Sequence, residues 1–250
     1  MVHQEFWRPA PAHPILSNGE VHIWRVDLNQ DRSTTETLTS LLSADELRRA
    51  SKYYFQRESD RFVVARGVLR TILGSYLLLS PLEIGFSFNR YGKPALHQRL
   101  DEDLLRFNVA HSGTIALFAF TRGREIGIDV EYVQENSASL ELAEHFFSPT
   151  EASILSALAP HSRTLAFFDC WTRKEAYIKA RGEGLSHPLN RFTVSVTPGF
   201  PAALLTTDDD PKEAARWMLM DLFLGHEYRA ALAVEGELAG FDCWQWVQRL

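Results

Sequence analysis

A chain of 250 residues, 45% of them hydrophobic and 23% charged, is long enough to bury one substantial core or two smaller ones. Its formal charge of −6 and its lack of a basic block argue against a nucleic-acid binder. No apolar stretch reaches the length of a membrane span, and the opening MVHQEFWRPAPAHP has an acid and prolines where a secretory signal needs an apolar core, so a cytoplasmic location is expected.

In chain order, residues 21–27 (VHIWRVD) alternate like a strand. SADELRRA, 43–50, opens on a serine with a glutamate three residues on, the pattern of a capping box. From Arg57 to Leu79, apolar positions at 62, 65, 69, 72, 73 and 76 describe one buried face of a long helix. Residues 84–89 are strand-like and Tyr91-Gly92 marks a turn. Residues 105–109 and 114–121 form a hairpin around His111, Ser112 and Gly113. In REIGIDVEYV, 124–133, Ile126, Ile128 and Val130 alternate with Gly127, Asp129 and Glu131, as in a half-buried strand. Short helices are expected over 140–146 and 149–159, the second opened by Ser148 with Pro149 at its first position, and a long one over 163–181. Strands at 191–197, 216–224, 227–234 and 241–247 complete the pass. Helices and mostly antiparallel strands mix without a βαβ rhythm, so the fold class is α+β. Cys170 and Cys243 are far apart and lack metal-ligand spacing, which reads as two free thiols in a reducing compartment.

Two segments carry chemistry. WTRKEAYIKARGEGL, 171–185, places Lys174, Glu175 and Lys179 within one and a half helical turns, with Glu175 and Lys179 on a shared face. A carboxylate beside two ammonium groups suits a metal-bound phosphate ester; the alternative is an ordinary solvated Glu-to-Lys pair. Four basic residues face two acidic ones in this segment, a local positive patch in an acidic protein. On the strand at 124–133, Asp129 and Glu131 point to the same side and repel unless a cation or water lies between them. Hard oxygen ligands of this kind suit magnesium; two solvated acids on an exposed strand face are the alternative.

IGIDVE followed some forty residues later by WTRKEAYIKARGEGL resembles the 4′-phosphopantetheinyl transferases, which move the phosphopantetheine arm of coenzyme A onto a serine of an apo carrier protein. GKPAL (92–96), FNVAHSG (107–113), FSPTEASIL (147–155) and GLSHPLNRF (184–192) resemble further motifs of that family in the same order, and the match runs from about Leu47 to Phe192. The length resembles the long, surfactin-synthetase-activating type, which implies a pseudo-dimer of two similar α+β halves in one chain, with the active site at the seam. No internal repeat is visible in the sequence, so this pseudo-symmetry rests on the resemblance. A boundary near Arg122–Arg124 gives a half at 1–123 for the coenzyme A nucleotide and a half at 124–250 for the metal and phosphates.

The resemblance also implies roles. Asp129, Glu131 and Glu175 would hold magnesium, and Lys174 and Lys179 would contact the pyrophosphate. Glu175 is the candidate general base for the carrier serine, with Asp129 or a metal-bound water as alternatives, since metal ligation lowers the basicity of Glu175. Arg57, Arg70, Lys93 and His111 would surround the adenine and 3′-phosphate; Arg66, on the same helix as Arg57 and Arg70, is ambiguous. One position departs from the family: Ala110 stands where a serine is common, which implies altered coenzyme affinity. Trp171, Tyr177 and Ile178 read as core, and Phe146 and Phe147 as either core or part of the apolar surface that the carrier covers. The products would be a holo carrier protein and adenosine 3′,5′-bisphosphate, the partners apo acyl, polyketide or peptidyl carrier proteins, and the enzyme a monomer. The alternatives are a non-catalytic coenzyme A-binding scaffold and a magnesium-dependent nucleotide hydrolase.

Overall fold

Helix starts are written into the chain as serine followed by glutamate three residues on. Ser43 with Glu46, Ser80 with Glu83 and Ser148 with Glu151 each form a reciprocal capping box, in which both partners satisfy otherwise orphaned backbone amides. The computed structural model describes residues 7–11, 13–97, 105–134, 139–208, 210 and 212–248. The first part of the chain runs β1 (Arg8–Pro9), β2 (Glu20–Asp27), α1 (Arg32–Thr39), α2 (Ala44–Ala50), α3 (Gln56–Leu77), β3 (Phe86–Phe88), β4 (Pro94–Leu96), β5 (Leu105–Ser112) and β6 (Ile115–Arg122). It continues with β7 (Ile126–Tyr132), α4 (Leu140–Phe146), α5 (Pro149–Ala157), α6 (Pro160–Arg181), β8 (Phe192–Val194), β9 (Leu204–Thr207), β10 (Trp217–Asp221), β11 (Tyr228–Glu235) and β12 (Gly240–Gln245).

The same series of elements therefore occurs twice. A strand is followed by three helices, the third 22 residues long, then a small two-stranded unit and two longer strands. In the first half β2, β6 and β5 pair antiparallel in that order; in the second, β7, β11 and β10 do so. β12 then returns to lie parallel to β2, with β1 beyond it. The fold is α+β, in two halves of like topology.

Three apolar clusters hold it together. One lies between α3 and the first sheet, around Trp24, Val68, Leu73 and Phe118, and a second between α6 and the second sheet, around Phe168, Tyr177, Ile178 and Leu219. The third joins the two sheets: Ile23, Leu117 and Ala119 meet Ile126, Val130 and Leu232. Asn108 adds a polar tie across this seam, its side-chain oxygen accepting from the Ile128 N–H at 2.9 Å.

The seam overturns the expectation of a half-buried β7. The strand is covered on one side by the first sheet and on the other by α6, and Asp129 is only 3% exposed. Gly127 permits this: a Cβ there would stand 2.0 Å from the Ala176 carbonyl oxygen and 2.3 Å from the Ala180 nitrogen. Helix α6 runs directly over the strand backbone.

Helix α1 was not expected from its sequence, RSTTETLT, whose apolar content is a single leucine. It forms because Asp31 caps it and because Thr34 and Leu38 are buried against the rest of its half. Cys170 and Cys243 are both buried free thiols, and none of the helices among the described residues is long and apolar enough to cross a membrane.

Candidate active site

The close passage of α6 over β7 brings four of the expected residues together. Lys179, in the last turn of α6, donates to Asp129 Oδ1 at 2.6 Å. The other Asp129 oxygen is buried and has no hydrogen-bond partner. Glu131, two residues along β7, accepts from the Ser112 hydroxyl at 3.0 Å. Glu175, one turn before Lys179, is half-buried beside both. Ser112 is itself fixed by accepting from the Tyr132 N–H at 3.0 Å, so the hairpin turn of β5 and β6 orients Glu131.

Like charge makes this cluster unusual. Burial raises the pKa of Asp129, and Lys179 opposes the shift. Glu131 is raised by burial and then by Asp129; Glu175 is raised by burial, then by Asp129 and Glu131. Three carboxylates face one ammonium group, an arrangement that holds a proton or a cation more readily than separated acids do. Among the described residues no three such side chains are already gathered about one point. The donor set nevertheless fits a hard divalent cation: all oxygen, mutually repelling, with one buried carboxylate oxygen unused. His111, at the exposed end of β5, lies beside this cluster. The surrounding protein and the Lys179 ammonium lower its pKa, so the ring is neutral at pH 7.

Two comparisons bear on what this arrangement is for. Residues 125–233 match the family model of the 4′-phosphopantetheinyl transferase superfamily, and residues 29–122 match that of the 4′-phosphopantetheinyl transferase N-terminal region. Over 233 residues the chain is 40% identical to the 4′-phosphopantetheinyl transferase HetI of Nostoc sp., covering 93% of this chain and 95% of that one. The chain belongs to the 4′-phosphopantetheinyl transferase superfamily. It is also 32% identical over 169 residues to the transferase Sfp of Bacillus subtilis, covering 68% of this chain and 73% of that one, which places it with the Sfp-like, long type.

Several residues expected to serve this transferase directly are placed elsewhere. Lys174 is fully buried, paired with Glu151 at 2.8 Å and donating to the Leu189 and Phe192 carbonyls, so its charge cannot reach a pyrophosphate. Its neighbour Arg173 is 4% exposed and bound to Asp221 and the Ser195 carbonyl. The expected positive patch on α6 is therefore absent: two of its four cations lie inside the protein. Arg70 is also 4% exposed, its guanidinium spent on Glu46 and on the Pro81 and Ile84 carbonyls. Lys93 points at the end of α6, donating to the Ala180 carbonyl at 2.8 Å and pairing with Glu125 at 2.9 Å. Ala110 lies in the apolar seam, not at the surface. Arg57 is exposed at the start of α3 and free to meet a ligand apart from a 3.2 Å contact with Glu58.

A second group of residues, unmarked or ambiguous in the sequence, lines a cavity in the first half. The cavity, of about 420 Å³ beside α2 and α3, is lined by Arg49, Arg66, Phe62 and Phe86, and the paired Arg70 and Glu46 also form part of its wall. The Arg66 guanidinium lies 4.8 Å above the Phe86 ring and one of its terminal nitrogens is buried without a hydrogen-bond partner; Arg49 lies 5.2 Å from the Phe62 ring centre. Trp171, expected in the core, is half-buried against it and stacks on Phe167. Phe147 is core, whereas Phe146 is 39% exposed. An S-x-x-E box at Ser43 could have pointed to Arg49 only through the position of α2 in three dimensions.

Proposed function

We propose that this chain transfers the 4′-phosphopantetheine arm of coenzyme A to a serine of an apo acyl, polyketide or peptidyl carrier protein, with magnesium, releasing adenosine 3′,5′-bisphosphate. The observation that carries the reading is the meeting of Asp129, Glu131, Glu175 and Lys179 at the seam of a chain from this superfamily. The serine oxygen forms a bond to the phosphorus that bears pantetheine, and the bond from that phosphorus to the oxygen of the departing adenosine bisphosphate breaks. The serine proton passes to Glu175, directly or through a water; because holding magnesium lowers the basicity of that carboxylate, Asp129 is the alternative acceptor. Lys179 stabilises the charge that develops on the leaving oxygen. Asp129, Glu131 and Glu175 would hold the magnesium ion, which supplies Lewis-acid neutralisation of the pyrophosphate.

On this reading residues 1–123 serve the nucleotide and 124–250 the metal and phosphates. Arg57 and His111 keep the roles that the resemblance implies, while Arg49 and Arg66 join Arg70 on the cavity wall as the cations nearest the nucleotide's phosphate and base, Arg70 being held by Glu46. Both halves lie in one chain, so a monomer suffices, and a cytoplasmic location agrees with two free thiols and with coenzyme A as substrate. The test is substitution at the cluster. Glu175→Gln and Asp129→Ala should each abolish transfer to an apo carrier protein while unfolding stays cooperative; near-normal turnover in either variant would contradict the assignment.

A further inference from the structure

The β3–β4 hairpin belongs to the first half but ends against the last turn of α6 in the second. Helix α6 stops at Gly182, which adopts φ +71° and returns its N–H to the Ile178 carbonyl at 2.9 Å. The carbonyls beyond that point need donors from outside the helix. Asn89 supplies one, its side-chain N–H₂ donating to the Gly182 carbonyl at 2.7 Å, and Lys93 supplies another to the Ala180 carbonyl at 2.8 Å. The Lys93 ammonium also reaches the carbonyl of Ile126, the first residue of β7, at 3.4 Å. It thus bridges the end of the helix bearing Glu175 and Lys179 and the start of the strand bearing Asp129 and Glu131.

The hairpin is built to hold these two donors still. The Asn89 side-chain oxygen accepts from the backbone N–H groups of Tyr91 and Lys93, both at 2.9 Å, so the same amide shapes the turn and caps the helix. Gly182 leaves no room to spare: a Cβ there would lie 3.0 Å from the Lys93 side chain and 3.3 Å from the Asn89 amide nitrogen. A cation at a helix carboxyl end also meets the negative end of the helix dipole.

We propose that Asn89 and Lys93 are positioning residues: the hairpin of the first half caps α6 and fixes its register on β7, and through that register the spacing of Glu175 and Lys179 from Asp129. The inference rests on the transfer reaction proposed above. It differs from a direct coenzyme contact by Lys93 in what each substitution does.

The experiment compares the full chain with Asn89→Ala and Lys93→Met in transfer from coenzyme A and from 3′-dephospho-coenzyme A, alongside hydrogen exchange of the free proteins. Both variants should lose roughly tenfold in kcat, because misplacing catalytic groups slows the chemical step. The KM for coenzyme A and the preference over the dephospho form should stay near those of the unaltered chain. Amides at 178–182 should exchange about tenfold faster or more, with α3 unchanged. The inference is overturned if Asn89→Ala is inert while Lys93→Met raises the KM for coenzyme A alone, since Lys93 then binds the 3′-phosphate. Unchanged protection at 178–182 in either variant overturns it as well, even if the unaltered chain proves inactive on the carriers tried and the transfer reading itself fails.

Discussion

Lys174 stands next to Glu175 in the segment that carries the chemistry, yet none of its surface reaches solvent. Its partner Glu151 is equally buried and accepts also from the Ser148 and Val194 N–H groups, so every hydrogen-bonding atom of the pair is used. Sequence spacing put Lys174 beside Glu175 but could not reveal Glu151, which lies on another helix and meets it only after folding. Removing one member of such a pair leaves a buried charge without compensation. Lys174→Met should therefore cost about 3–5 kcal/mol of stability, with much of it recovered when Glu151→Gln is added. Denaturant unfolding would check this, and a single variant as stable as the parent would refute it.

His22 is another residue whose state depends on its surroundings. It is 2% exposed, 2.7 Å from the Tyr76 hydroxyl, which in turn accepts from the Trp24 ring N–H, and burial lowers its pKa to about 4. The unfolded histidine takes up a proton near pH 6.5, whereas the folded one does not until about pH 4. Stability is thus full above pH 6.5 and is lost as pH falls towards 4, by about 3 kcal/mol from this group. In His22→Gln the loss between pH 7 and pH 4.5 should be smaller; identical pH profiles would refute this account.

Among the elements, those with local signals were legible. The capping box at Ser43, the helix start at Ser148 and Pro149, the long helix at 56–77, the hairpin at 105–122 and the strand at 126–132 all follow from residues within a few positions of one another. What escaped was the environment of β7. Its alternation of Ile126, Ile128 and Val130 with Gly127, Asp129 and Glu131 looks the same whether the second face meets water or a helix. Gly127 was the available sign, and only the folded arrangement of α6 on β7 gives it meaning. Gly127→Ala would force α6 off the strand and should cost about 3 kcal/mol or more, abolishing transfer with it. A folded, fully active Gly127→Ala protein would show that the α6–β7 approach is not needed.

Over the whole molecule, the repeated order of strand, three helices and paired strands was invisible in the sequence because it is a likeness of topology. The third helices show this: QRESDRFVVARGVLRTILGSYL and PHSRTLAFFDCWTRKEAYIKAR have the same length but different polar faces. The first borders a cavity lined by Arg49 and Arg66; the second carries Glu175 and Lys179, the groups proposed to react. Ordered motifs spread over both halves made the family legible, while ion pairing inside the fold decided which charged residues remain available for chemistry.

The central claim is transfer itself, and the most direct test is intact mass spectrometry of an apo acyl carrier protein incubated with this chain, coenzyme A and magnesium. The account predicts a mass gain of one phosphopantetheine group, abolished by a chelator. No gain with fatty-acid, polyketide or peptidyl carriers alike would contradict it.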